Sequence, residues 1–184
     1  MKTYVLFAGV NGAGKSTLYS TLSGEILSMP RVNTDEIVRS LGDWRDMSVV
    51  LQAGKIAVKQ LNNYFSQGVS FNQETTLCGG SVLRNIAKAK ELGYKVVVHY
   101  IGVESVDIAK ARVRSRVERG GHGVPDADIE RRYVESINNL FKIIPVCDEV
   151  FVYDNTFAFN IFAKYSRGAL EWINSQFPNW FNRN

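Results

Sequence analysis

An α/β fold in three layers, a mostly parallel central sheet with helices on both faces, is the fold class this sequence predicts, and three observations carry it. The chain opens on an apolar run, Tyr4 to Val10, that passes through a glycine-rich turn into a helix-like segment starting at Lys15. Strand-like apolar runs then alternate with amphipathic helical patterns, the order from which parallel βαβ units are made. The most continuous run, Tyr94 to Val103, carries Val96, Val97, Val98 and Ile101, as expected of a strand covered on both faces. The 184 residues contain no linker rich in Pro, Gly or Ser, so one domain over residues 1–184 is expected.

Composition narrows the function classes. The formal net charge is a modest +4, but Lys and Arg gather between Lys110 and Arg132. Cys78 and Cys147 show no metal-ligand spacing, and the N-terminal run reads as a core strand rather than a leader, so a reducing cytoplasm is expected. No apolar run approaches the length that spans a bilayer, which argues against a membrane role. The sequence has no repeat at a fixed period and no low-complexity tract.

The first loop carries the strongest chemical signal. Gly9 to Thr17 reads G-V-N-G-A-G-K-S-T and fits G-x-x-x-x-G-K-[ST], with a strand pattern before it and a helix pattern after it. That is a P-loop. Gly9, Gly12 and Gly14 let the backbone curl so that its N–H groups, those of Asn11 and Ala13 included, point inward, and the helix N-terminus adds positive potential. A nucleotide is the expected ligand: Lys15 reaches its β- and γ-phosphates, Ser16 enters the shell of a Mg²⁺ ion, and Thr17 lies beside the α-phosphate. Leu18, Leu22 and Ile26 fall at helical spacing and predict one helix from Lys15 to Leu27.

Met29 to Asn33 reads as a turn into a short strand, with Asp35 and Glu36 directly after it. Ligands of parallel sheets bind beyond the carboxyl ends of the strands, so Asp35 is a candidate to accept or orient the proton of an acceptor hydroxyl. The structural alternative is that Asp35 or Thr34 caps a helix running from Glu36 to Leu41. A long helical pattern follows from Trp44 to Gly68, where glycine suits the helix end, and residues 42–48 are a candidate substrate-facing segment. A third strand, Val69 to Thr76, ends in Glu74, Thr75 and Thr76, which suit a polyhydroxyl substrate, and Glu74 also suits a water on Mg²⁺. Leu77 to Ser81 looks superficially like the signature of ABC transporter ATPases. It lies too close to the P-loop for the helical subdomain of those proteins, and it reads instead as a Gly-Gly turn into a helix from Ser81 to Leu92, closed by Gly93. His99, inside the central strand, reads as a core residue.

The segment Ser105 to Gly120 is helical and carries Lys110, Arg112, Arg114, Arg116 and Arg119, with Arg112, Arg116 and Arg119 at a shared-face spacing. Gly120 to Pro125 breaks it, and a second helix with Arg131 and Arg132 begins near Asp126. Two Arg-bearing helices joined by a glycine hinge predict a lid, spanning about residues 105–145, that closes over a nucleotide and offers guanidinium groups to the transferring phosphoryl. A solvated face on which Glu118, Asp128 and Glu130 pair with these arginines is the alternative. Another strand, Glu149 to Tyr153, ends in Asp154, Asn155 and Thr156, with Asn155 and Thr156 candidates to face the adenine. The alternating Phe157, Phe159, Ile161 and Ala163 predict an added edge strand, and Trp172, Phe177, Pro178 and Trp180 a packed cap.

The ordered set of the loop, Asn33-Thr34-Asp35-Glu36-Ile37, Glu74-Thr75-Thr76, Arg116 and Arg119 before Gly120-Gly121-His122, Val124-Pro125, Ile129 to Tyr133 and Tyr153-Asp154-Asn155 resembles the zeta-toxin-like family of P-loop kinases, especially its short chromosomal members. The resemblance implies a three-layer P-loop NTPase fold and ATP- and Mg²⁺-dependent transfer of phosphate to a sugar hydroxyl of UDP-N-acetylglucosamine, restrained by an antitoxin partner. It implies Asp35 as base or orienter, Glu74 and Thr76 as substrate contacts, and Arg116, Arg119 and Arg132 as a phosphate clamp. Two departures stand out: the chain is shorter than the plasmid-type toxins, and Gly123 follows His122 where many relatives carry Asp. A metabolite or nucleoside kinase, an RNA 5′-end kinase and a silent ATP-binding module use the same parts, and the residues alone leave these open, with nucleic acid the less favoured partner.

Overall fold

The strand β1 (Thr3–Ala8) is almost wholly buried and is hydrogen-bonded along both edges, which makes it the middle of the sheet. The structure, a computed structural model, describes residues 1–22 and 24–182, with Glu25 described by its backbone alone. The chain continues through α1 (Lys15–Thr21), α2 (Glu25–Ser28), β2 (Arg31–Val32), α3 (Thr34–Leu41), α4 (Met47–Gln67), β3 (Phe71–Thr75) and α5 (Gly80–Glu91). It then forms β4 (Lys95–Gly102), α6 (Val106–Glu118), α7 (Asp126–Ile143), β5 (Glu149–Asp154), β6 (Asn160–Ser166), β7 (Ala169–Ile173) and a 3₁₀ turn at Asn179–Phe181. The sheet order is β2-β3-β1-β4-β5-β6-β7. The first five strands are parallel, and β6 and β7 are antiparallel additions.

Alternation along β1 sends Tyr4, Leu6 and Ala8 to one face and Val5 and Phe7 to the other. Leu61 and Phe65 of α4, Ile86 of α5, and Leu140 and Ile143 of α7 complete the first core. Leu18 of α1, Ala109 and Val113 of α6, and Ile129 at the start of α7 complete the second. These are the three layers expected from the sequence. The chain enters β3 before it crosses to β4, so the loop after β1 lies where the strand order changes direction, the usual ligand position in such sheets.

Several local expectations are corrected. The helix expected from Lys15 to Leu27 is broken: α1 ends at Thr21, and Leu22 is extended at φ −77° and ψ 159°. Ser20 and Thr21 turn their hydroxyls back onto the carbonyls of Thr17 and Leu18, both at 2.8 Å, a local competition that weakens helix continuation. The cap of α3 is neither Thr34 nor Asp35 but Asn33, whose side chain accepts from the N–H groups of Asp35 and Glu36. The edge strand expected after Phe157 is β6, but it is followed by β7, so the outer edge is a hairpin turning at Arg167 and Gly168, both with positive φ. In the tail Trp180 and Phe181 are buried, while Trp172 and Phe177 stay about two-fifths exposed.

His99 behaves as a core residue. Its ring is stacked between Phe7 and Phe151, with centroids 5.3 and 5.0 Å away, and its Nδ1 lies 3.1 Å from the Tyr153 hydroxyl. Burial lowers its pKa to about 4. The unfolded chain therefore binds a proton that the native chain does not between about pH 6.5 and pH 4, so this residue's share of stability is complete above that window and is lost as pH falls through it. The loss amounts to roughly 3 kcal/mol at the acid end. A His99→Asn protein is expected to be less stable at neutral pH but to show a shallower fall in urea midpoint between pH 7 and pH 4 than the parent. An unchanged slope would refute the assignment.

Candidate active site

The loop after β1 is shaped by crowding as much as by glycine freedom. Gly9, Gly12 and Gly14 have φ of +140°, +82° and +102°. A methyl group at these positions would sit 2.1 Å from the Ile101 carbonyl oxygen, 2.5 Å from that of Ala109 and 2.5 Å from the Asn155 amide nitrogen. The loop is thus clamped by β4, by α6 and by the segment after β5. Asn155 holds that clamp with two bonds: its side-chain amide donates to the Ala13 carbonyl at 2.8 Å and its backbone N–H to the Gly102 carbonyl at 2.9 Å. Thr156 is engaged elsewhere, its hydroxyl donating to Asp154 at 2.7 Å and accepting from the Glu104 N–H at 2.9 Å.

Lys15 is buried and donates to the Val10 carbonyl at 3.1 Å. Burial lowers its ammonium pKa, opposed by the carboxylates of Glu74 and Asp35. The charge is held in place ahead of any ligand. Ser16 donates to Glu74, 2.8 Å from Oε2 and 3.1 Å from Oε1. Register explains the meeting: β3 pairs with β1, and Glu74 lies opposite Phe7 at the carboxyl end of both strands. A hydroxyl backed by a carboxylate is a hard-oxygen donor set, and the described residues contain no cluster of three acidic, His or Cys side chains that would cage an ion alone. That combination fits Mg²⁺, which keeps waters and phosphate oxygens in its shell.

Sequence reasoning missed Arg31. Its Nη2 meets Glu74 at 2.6 Å, Nη1 meets Asn72 at 3.0 Å, and its guanidinium lies 3.7 Å from the Tyr19 ring centroid. Asn33 adds a bond to Glu74 at 3.1 Å. Glu74 is therefore fixed on the Ser16 side by three donors. The only sequence signal for this was a basic residue on a two-residue strand beside an acidic strand end.

Across the loop a cavity of about 730 Å³ opens between the core and the lid. Lys15, Asp35, Glu74, Thr76, His122 and Arg132 all line it, and Trp44, Val38 and Val124 give it an apolar wall. Because Asn33 caps α3, the Asp35 carboxylate is free to face this space. His122 Nε2 lies 3.5 Å from Asp35 Oδ1. Trp44, from the segment suggested as substrate-facing, reaches the lid: its ring centroid is 5.8 Å from that of His122. Leu77, just after Thr76, is buried with φ +60°, and its carbonyl accepts from Asn139 at 2.9 Å, which pins this strained turn.

The lid arginines divide. Arg116 has its Nε and Nη2 buried with no hydrogen-bond partner among the described residues, and its charge depresses the pKa of both Lys15 and His122. Arg132 donates to Asn11 of the loop at 3.1 Å and lies 3.6 Å from Asp128. Arg119 is not brought to the site. It is exposed and folds back on its own helix, bonding the Ser115 carbonyl and hydroxyl at 3.1 and 2.7 Å. Arg112 donates to the Thr156 carbonyl at 3.0 Å, tying α6 to the loop after β5. Arg114 and Arg131 pair on the surface with Asp126, Asp128 and Glu135. Arg132 thus reaches the loop, while Arg114, Arg119 and Arg131 stay exposed.

Fold and loop together define a P-loop kinase architecture. The chain belongs to the zeta toxin family, whose model matches residues 1–161. A Haemophilus influenzae protein with no assigned function is 31% identical over 129 residues, covering 70% of this chain and 91% of that one. Among solved structures, the AvrRxo1-ORF1:ORF2 complex with ATP superposes with a TM-score of 0.75 at 17% identity, covering 95% of this chain and 61% of that one. The PezAT chromosomal toxin-antitoxin system of Streptococcus pneumoniae gives a TM-score of 0.62 at 18% identity, covering 84% and 67%. The chain thus spans about three-fifths of the AvrRxo1 chain. These likenesses bear on the fold.

Buried guanidinium groups without partners are costly to a resting protein. An Arg116→Met substitution is therefore expected to hold or raise the urea midpoint of the ligand-free protein. A clear fall in that midpoint would mean that Arg116 has a structural partner instead.

Proposed function

We propose that this protein transfers the γ-phosphoryl group of ATP to a hydroxyl of a small molecule, with the nucleotide sugar UDP-N-acetylglucosamine as the acceptor to test first. One observation carries the reading: the Lys15 ammonium, the Arg132 guanidinium and the Asp35 carboxylate line one cavity beside the P-loop, and Arg116, whose buried Nε and Nη2 have no hydrogen-bond partner among the described residues, is near enough to help lower the Lys15 pKa. Cations on one side of a cavity and a carboxylate base on the other are what phosphoryl transfer to an alcohol needs.

In this reading the loop N–H groups and Lys15 hold the β- and γ-phosphates, and Arg116 and Arg132 answer the charge that develops on the transferring group. Asp35 accepts the proton of the acceptor hydroxyl. Thr76 and the apolar wall seat the rest of the acceptor, and Asn155 acts by fixing the loop. Ser16 would hold Mg²⁺ directly and Glu74 through water, and an ion held there would supply positive charge to offset that of the phosphates. Closure of α6 and α7 keeps water from competing with the acceptor. The described residues include no helix long and apolar enough to cross a membrane, and both substrates suit the cytoplasm. The complexes named for AvrRxo1 and for PezAT support a protein partner, an antitoxin, for this chain as well.

Purified protein incubated with Mg·ATP and UDP-N-acetylglucosamine is expected to yield a nucleotide sugar carrying one more phosphoryl group, read by mass. Lys15→Ala should abolish the product, and Asp35→Asn should cut kcat by about a hundredfold or more. Arg116→Ala should lose about a thousandfold, while Arg119→Ala stays close to the parent. Unchanged acceptor beside steady ATP consumption would move the acceptor to other sugars and nucleosides. Equal product from Lys15→Ala would overturn the reading.

A further inference from the structure

We propose that His122 is a positioning residue that orients the Asp35 carboxylate from the lid connection, so that the acceptor-side base is complete only while that connection is seated on the core. The inference rests on the reading of Asp35 as base.

Three observations carry it. First, Asp35 is left without a capping task because Asn33 satisfies the first N–H groups of α3, and among the described residues its carboxylate has its ion-pair contact with His122, Nε2 at 3.5 Å. Second, His122 is itself held: its side chain is only 12% exposed and its ring lies against Trp44. Third, the seat has no slack. A methyl group on Gly123 would lie 2.4 Å from the Trp44 ring and 2.9 Å from Val117, so Gly123 is where the lid connection meets the indole directly. The glycine and the tryptophan make one fitted joint, which sets His122 opposite Asp35.

The charges around the ring define its working form. Asp35 and Arg39 face it from α3, Arg116 from α6 and Arg132 from α7. Burial first, and then these three arginines, lower the imidazole pKa against the pull of Asp35 and so favour its neutral form. A neutral ring has one N–H to give. Given from Nε2 to Asp35, it fixes the carboxylate without taking away its negative charge, and so leaves it able to accept a proton. A separation of 3.5 Å is at the outer edge of a hydrogen bond, as catalytic contacts are before the substrate draws them in. With the joint open, Asp35 loses this restraint at the moment when water can enter, so an idle base and a wet site coincide.

The chain has two histidines, and the other is the buried His99, so the imidazole NMR signals separate cleanly. In the ligand-free parent the proton of neutral His122 is expected on Nε2. In Asp35→Asn the His122 pKa should fall, since the carboxylate that favours its charged form is gone, and the His99 signals should stay put as a check on the fold. Identical His122 titrations in the two proteins would overturn the proposal. In the transfer assay His122→Ala should lower kcat about tenfold to a hundredfold with KM for Mg·ATP unmoved. His122→Gln, whose amide donates from nearly the same place, should recover most of it, and a Gln variant as slow as the Ala variant would also overturn the proposal. A parent that transfers no phosphate would defeat the kinase reading alone, because the NMR comparison still decides the pair.

Discussion

Everything at the site depends on three points where backbone meets backbone or amide with no room for a side chain. Gly9 against Ile101, Gly12 against Ala109 and Gly14 against Asn155 press the loop between β4, α6 and the segment after β5. A loop so confined has its N–H directions set by the sheet and the helix rather than by its own weak preferences. Preorganised dipoles of that kind are effective because nothing has to reorient when charge arrives. The burial of Lys15 follows from the same confinement, and the bond from Ser16 to Glu74 follows from the pairing of β1 with β3.

Charge is distributed with a bias that pairing alone would not produce. Lys110, Arg114 and Arg131 are matched by carboxylates of the two lid helices, and the exposed pairs of Arg114 and Arg131 contribute little to stability. Arg116, with Nε and Nη2 buried, has none among the described residues. The lid thus leaves one buried cation without a paired carboxylate among the described residues, while Arg114 and Arg131 are ion-paired in the open.

Legibility in the sequence followed the range of the interactions. The loop, the order of strands and helices and the ends of α4 and α5 were readable because a motif, an apolar period or a glycine specifies each within a few residues. Asp35 was readable by its place after a strand, although its freedom came from Asn33, the cap where Thr34 or Asp35 was expected. Arg31 could not be assigned, since its role needs Glu74 and Asn72 to arrive from a strand more than forty residues later. Helical spacing placed Arg119 on the face of Arg116, but Arg119 is the residue where α6 stops, and its side chain is taken up by the final turn. The break after Thr21 went unseen because apolar spacing ran on through hydroxyls that oppose the helix. Trp44 read as one aromatic near a helix start, and only the fold brings it to Gly123.

The far end of the chain is wired to the loop. Trp180 fills the space over Gly102, where a methyl group would come within 2.2 Å of the indole, and its Nε1 donates to Asp154 at 2.9 Å. Asp154 in turn holds Thr156, next to the Asn155 that grips Ala13. Linkage is reciprocal, so whatever steadies one end of this relay steadies the other. The stretch from Asn174 to Phe177 is exposed between β7 and the anchored Trp180. Nucleotide in the loop should therefore slow protease cutting in that stretch, and a nick there should loosen nucleotide in return.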